Sequence, residues 1–337
     1  MPQQLYAAID IGGTKIAAAL VDAEGTLLTR AELPTPPKGS AEDVMATVAG
    51  LVEILARDTR WSDTVVGIGI GSAGPIDPVH GTVSPVNIPA WRDFPLVARV
   101  RELQAVHGDV VLIGDGSAMA AGEHWRGAAR GYDNALCLVV STGVGAGLIL
   151  DGALRTGPSG NAGHLGHISV DVEGEQCPCG SRGCLEIIAS GTSIARWAAE
   201  NGWRTHSDNV VESSDTGTGT DTDTDVGTDA GTVPPTAADI AASARAGNKI
   251  ALAAFDRAGR ALAAGIAATA MLVDIRAAVI GGGVAKSGPL LLDPLRRHLT
   301  TYASLPFTRD LAILPATLGA DAGLIGAAAA LAKSVGD

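Results

Sequence analysis

The chain has 337 residues, 46% of them hydrophobic and 18% charged, with 44 glycines and a formal net charge of −12. This length exceeds what one hydrophobic core usually organises, so two lobes are expected, and the glycines speak for tight turns and close backbone approaches rather than disorder. An acidic field repels nucleic acid and anionic membrane alike, and the chain shows no leader-like segment and no run of about eighteen apolar residues. The expectation is a cytoplasmic protein whose partners are small molecules, with no nucleic acid and no membrane.

Residues 5–22 place short apolar runs on both sides of Gly12-Gly13, followed by the turn residues Asp22-Ala23-Glu24-Gly25, which predicts a β-hairpin carrying a polar loop. Val44, Val48, Leu51, Val52 and Leu55 recur at helical spacing over 41–57, with Ser40 or Asp43 available to cap the start. Short strands are predicted over Val65–Ile70 and Val110–Ile113, the second running into a helical stretch over Ser117–Trp125. The pattern then repeats: a strand over Ala135–Val140, a glycine loop over 141–147 and a second apolar run, Leu148–Leu150. Two hairpins that each turn on a Thr and glycines predict two related α/β lobes facing a shared cleft.

Residues 207–236 alternate Thr, Asp and Gly, with seven acids and no Lys or Arg. Such a segment buries too little to offset its ordering entropy and is predicted to be a mobile surface insertion. A helix follows over Ala251–Ala270, then a strand over Ala277–Ile280 ending in Gly281-Gly282-Gly283, and an Ala-rich terminal helix over Ala322–Lys333.

Asp10-Ile11-Gly12-Gly13-Thr14-Lys15 sets a carboxylate at a strand end beside glycines whose N–H groups can reach a phosphate, with a hydroxyl and an ammonium adjacent. That suits magnesium-nucleotide binding; a glycine hairpin with no ligand reads equally well from it. Neither the Walker pattern nor a G-x-G-x-x-G turn is present there. Thr142-Gly143 offers a matching loop for the other phosphates, and Gly282-Gly283 offers bare backbone for an adenine ring. Together they resemble the nucleotide clamp of the two-lobe actin-like ATPase (ribonuclease H-like) α/β fold, whose lobes close on a central cleft.

Asp115 stands between a strand and a helix. One reading is an N-cap; the other is a general base that accepts the proton of an attacking sugar hydroxyl. His167, Cys177, Cys179 and Cys184 form a Cys₃His set, which suits a closed structural zinc site, the alternative being three buried or merely reduced thiols. Cys137 sits alone in an apolar run. Glu186, two residues after Cys184, is either a solvated helix-start carboxylate or, with His167, a fixed polar group delivered by a metal-pinned loop.

DIGGTK at 10–15, STGVGAG at 141–147, GHLGH at 163–167, CPCGSRGCLE at 177–186 and IGGG at 280–283 occur in the order and spacing of ROK-family sugar kinases, which the chain resembles everywhere except 207–236. The resemblance implies ATP-dependent phosphorylation of a hexose-type sugar at its 6-hydroxyl, by a homodimer or homotetramer. It implies lobes of 1–113 with 322–337 and of 114–321, the latter carrying the zinc loop 163–186. It assigns catalysis to Asp115, sugar contacts to Asn87, Asp115, His164, His167 and Glu186, and ATP and Mg²⁺ to Asp10, Gly12, Gly13, Thr14, Lys15, Thr142, Gly143, Gly282 and Gly283. A structural Zn²⁺ would sit on His167, Cys177, Cys179 and Cys184.

Two positions depart from the usual pattern of that family. His164 stands where most of its glucokinases carry Glu, which resembles bacterial N-acetylmannosamine kinases and implies N-acetylmannosamine as substrate, with glucose or another hexose as the alternative. Gly114 stands where Asn usually precedes the catalytic Asp, so a weakened sugar-binding protein is a further reading. A sugar-responsive repressor of the same family would need a DNA-binding segment ahead of the first hairpin, and only nine residues precede Asp10 here.

Overall fold

The computed structural model describes residues 4–204 and 234–336. The acidic insertion predicted over 207–236 lies outside the described residues except for 234–236, where the Thr236 side chain caps the helix Ala237–Arg245 in a capping box with Asp239.

Two five-stranded sheets repeat one topology. The first is built from β1 (Leu5–Ile11), β2 (Lys15–Asp22), β3 (Leu27–Pro34), β4 (Val65–Ser72) and, after the short hairpin β5 (Ile76–Asp77) and β6 (Thr82–Val83), β7 (Asp109–Gly114). The second comprises β8 (Ala135–Val140), β9 (Val144–Leu150), β10 (Ala153–Arg155), β11 (Ala277–Gly281) and β12 (Ala312–Pro315). The orders are β3-β2-β1-β4-β7 and β10-β9-β8-β11-β12, so each lobe reads third, second, first, fourth, fifth along its own chain. In both, the first three strands meander antiparallel and the last two join in parallel.

The period-2 alternation of β1 explains how the first lobe is layered. Ala7, Ile9 and Ile11 pack with Val44, Val48, Leu51 and Leu55 of the helix Ala41–Ala56, while Tyr6 and Ala8 pack with Leu324, Ala327, Ala328 and Leu331 of the terminal helix Ala322–Gly336. Each fully buried Leu, Ile or Val in these layers contributes about 1.5–3 kcal/mol. Ser40 is the cap predicted for the first helix; its side chain accepts from Asp43 N, and Asp43 returns the bond to the Ser40 backbone. In the second lobe the long helix Lys249–Val273 buries Phe255, Leu262 and Ile266 with Leu136, Leu138 and Val140 of β8.

The helix Asp115–Arg126 lies between the lobes. Met119 and Ala120 pack with Ala135, Cys137 and Ile149 of the second sheet, while its other side meets the terminal helix at main-chain distance. There a Cβ on Gly326 would stand 1.6 Å from Ala118 O, so only glycine permits the approach. The fully buried Glu123 of the same helix accepts from Ala128 N, Thr317 N and Leu318 N and fixes the turn after β12.

Two expectations need correction. The predicted loop 141–147 is only three residues long, because β9 begins at Val144 and pairs Gly145 with Val139 and Gly147 with Cys137. Those glycines serve packing rather than turning: a Cβ on Gly147 would lie 2.6 Å from Gly116 O of the interlobe helix. Nor is Asp115 an N-cap. Gly114, with extended φ and ψ, occupies that position, and Asp115 is the first helical residue, its Oδ1 accepting from Gly116 N at 2.7 Å.

Candidate active site

β7 ends and the interlobe helix begins at the cleft, which places Asp115 against a small cavity of about 30 Å³ whose lining includes Gly74, Gly114, Gly145, Asn161 and His164. Solvent reaches Asp115 from the cleft, yet protein surrounds its carboxylate closely. Burial raises its pKa above the ordinary carboxylate value and the Glu186 charge adds to this, while the Gly116 N–H and His164 oppose it. Open access to the cleft tempers the size of the shift without changing its direction.

Asp10, near the end of β1, points at the first turn of the terminal helix, where a Cβ on Gly323 would stand 2.6 Å from Asp10 Oδ2. Burial and the charge of Asp115 push Asp10 up to about 6, against the pull of Lys15 and Arg30. A carboxylate made costly to ionise by burial and by a second carboxylate in the same cleft suits a hard divalent cation with oxygen ligands. Lys15 does not face this group directly: its Nζ pairs at 2.8 Å with Glu32 on β3, and both side chains are exposed.

The hairpin turns Gly12–Thr14 and Ser141–Gly143 are the corresponding loops of the two lobes. Ser141 O accepts from Gly191 N at 2.7 Å and Thr142 O from Thr192 Oγ1 at 3.0 Å, while Gly283 lies against Ser141 Oγ. Three loops, 141–143, 191–192 and 282–283, therefore meet. The middle one escaped the sequence reading, for a Gly-Thr-Ser run at a helix start looks like any capping segment. Asn87 rests against Gly13, exposed, and does not line the cavity beside Asp115.

Glu186 opens a short helix, and its Oε2 accepts from Val144 N at 2.8 Å. The contact requires glycine at 143, where a Cβ would lie 2.6 Å from the same oxygen. His164 stacks on His167 with ring centroids 5.5 Å apart and 19° between planes. Burial and the neighbouring His167 lower the His164 pKa, against the pull of Asp115 and Glu186, which favours its neutral imidazole.

One residue pair after another ties this region together. Leu185 N donates to Ile168 O at 3.0 Å, Cys177 N to Ser181 O at 2.7 Å and Gly180 N to Cys177 O at 2.9 Å, forming a knuckle. It gathers His167, Cys177, Cys179 and Cys184 so that their ligand atoms all lie within 4.8 Å of one another. Tetrahedral bonds of about 2.0–2.3 Å from zinc to nitrogen and sulfur give edges of about 3.5–3.8 Å. Cys179 Sγ stands 3.7 Å from Cys184 Sγ, and Cys177 Sγ 3.8 Å from His167 Nδ1. Those spacings fit the ion and exclude a disulfide, whose sulfurs lie about 2.05 Å apart. Cys137, by contrast, is fully buried in the core, and burial raises its thiol far above the usual range.

The model of the ROK family matches residues 6–334. A glucokinase of Thermotoga maritima is 32% identical over 341 residues, 100% of both chains. An N-acetylmannosamine kinase of Yersinia pseudotuberculosis is 32% identical over 321 residues, 95% of this chain and 96% of that protein. A solved ROK family glucokinase from Streptomyces griseus, in complex with glucose and AMPPNP, has a TM-score of 0.75 at 34% identity, covering 96% of this chain and 98% of that one. Glucokinase relatives reach 36% identity, against 32% for the N-acetylmannosamine kinases, so likeness leans towards glucokinases and leaves the acceptor sugar unresolved. The chain belongs to the ROK family and has its two-lobe, actin-like ATPase fold.

Proposed function

We propose that this ATP-dependent sugar kinase transfers the γ-phosphoryl group of ATP to the 6-hydroxyl of a hexose, with N-acetylmannosamine the preferred acceptor. The observation that carries the reading is Asp115, held at the helix start on the cavity wall with its pKa raised. A carboxylate of raised basicity is suited to take the sugar hydroxyl proton as that oxygen attacks phosphorus, and ADP leaves with the electrons of the broken bond. Gly13, Thr14, Thr142 and Gly143 would present N–H and O–H groups to the phosphates from both lobes, and Gly12, whose own N–H is held by Lys15 O at 3.1 Å, would shape the turn, while Gly282 and Gly283 would leave flat backbone for the adenine. Asp10 would hold Mg²⁺ with the nucleotide, and that ion supplies charge neutralisation at the phosphates. The lobes are taken as 1–113 with 322–337 and as 114–321.

His164 favours the N-acetylated acceptor. A neutral imidazole donates one hydrogen bond, as an acetamido carbonyl needs, whereas a glutamate there could only accept. Gly114 supports the same choice, since a Cβ at that position would meet nothing within 4 Å and the space remains for a bulkier sugar. Glucose is the second reading, favoured by the full-length likeness to glucokinases. The Cys₃His set would hold a structural Zn²⁺ through His167 Nδ1, leaving Nε2 for the sugar.

A coupled ATPase assay over N-acetylmannosamine, N-acetylglucosamine, glucose, mannose and fructose separates these acceptors. Failure to turn over any of them would sink the kinase reading. Asp115→Asn should bind sugar with little change yet lose about 10²–10⁴-fold in kcat.

A further inference from the structure

The cavity beside Asp115 is walled from both lobes. Ile76 belongs to the core of the first lobe, while Asn161 sits on the loop after β10 that returns to the second sheet. Across the cleft, the Asn161 carboxamide addresses one residue with both of its ends. Its Nδ2 donates to Ile76 O at 3.0 Å and its Oδ1 accepts from Ile76 N at 3.4 Å. Nδ2 also donates to Ser159 O at 2.7 Å, which fixes the plane of the amide within its own loop. One residue earlier, Gly160 presses on Pro78, where a Cβ would stand 2.5 Å from Pro78 Cγ.

A carboxamide that pairs with the N–H and C=O of a single residue imitates a neighbouring strand, and it can do so here only while the lobes are together. The space beside Asp115 has a volume of about 30 Å³, room for a water or two, and it opens to the cleft. His164 lies three residues beyond Asn161 and itself faces Gly74 of the first lobe, so a loop held at Asn161 is held at the sugar as well.

We propose that Asn161 is the latch of the sugar cleft: a positioning residue that ties the loop 157–163 to the Ile76 backbone with and without sugar, setting His164 beside Asp115. It rests on the kinase reading of the pocket and touches no reacting atom. The latch acts on closure, so removing it weakens sugar retention and leaves chemistry nearly intact.

Asn161→Ala removes both hydrogen bonds; Asn161→Asp keeps the shape and removes the donor. In each, the KM for sugar should rise roughly tenfold while kcat stays within about threefold and the melting temperature is unchanged. Small-angle scattering without ligand supplies a readout independent of turnover: the radius of gyration should increase in both variants relative to the parent chain. Unchanged KM together with unchanged scattering would overturn the latch, as would a fall in kcat at constant KM. If the parent chain turns over no sugar, the kinase reading fails on its own, and the scattering comparison still decides whether Asn161 holds the lobes together.

Discussion

In the reaction we propose, Asp115 would owe its basicity to what surrounds it rather than to what it touches. Its one short hydrogen bond, from Gly116 N, favours the carboxylate, but burial and the Glu186 charge outweigh it and lift the pKa above the ordinary value of about 3.9. With Asp115 as the proposed base, the ionised form would be the working form, so kcat/KM should rise with pH through this raised pKa and level off above it. Glu186→Gln removes a negative neighbour, which makes ionising Asp115 easier. The acid limb of the profile should then move to lower pH, though only part of the way, because burial is the larger cause and persists. A limb that stays in place when Glu186 is neutralised would show that the two carboxylates do not communicate.

At the scale of elements, the knuckle 177–184 is a small unit whose backbone bonds carry it to the segment 168–170 and whose last turn launches the helix bearing Glu186. Removing a metal from such a unit frees His167 and Glu186 together. Chelation, or Cys184→Ser, should lower the melting temperature and weaken sugar binding on the order of ten- to a hundredfold, while ATP binding changes far less. Metal analysis should return about one zinc per chain. A stripped protein with unaltered melting and sugar affinity would mean that packing alone holds the loop. This unit was legible in the sequence because its ligands sit close along the chain, Cys184 reaching back only 17 residues to His167. Asn161 was not, because its partner is the main chain 85 residues away, which leaves no side-chain signature. Glu123 was hidden for the same reason, its acceptors' partners lying 194 and 195 residues on. Gly145 and Gly147 were misread as a turn because the pressure that demands them comes from the interlobe helix, a tertiary contact that no local pattern carries.

Over the whole molecule, the repeated sheet topology sets two equivalent hairpin turns on either side of one cleft, and the interlobe and terminal helices cross between them. Asp10 comes from one sheet and Asp115 from the helix that leaves it, and the Asp115 charge raises the Asp10 pKa, so the proposed nucleotide and sugar sides would share one electrostatic site. A closure that seats the sugar would also bring the loop Ser141–Gly143 towards Gly12–Thr14. Each ligand should therefore favour the arrangement that the other binds. A non-hydrolysable ATP analogue with magnesium should tighten sugar binding by a factor in the range of about 5–150, and sugar should tighten the analogue by the same factor, as linkage requires. Four calorimetric titrations check this: each ligand alone, and each in the presence of saturating partner. Equal ratios above unity support a common closing motion. Ratios of unity on both sides would mean that the lobes bind their ligands independently, with the cleft already set before either arrives.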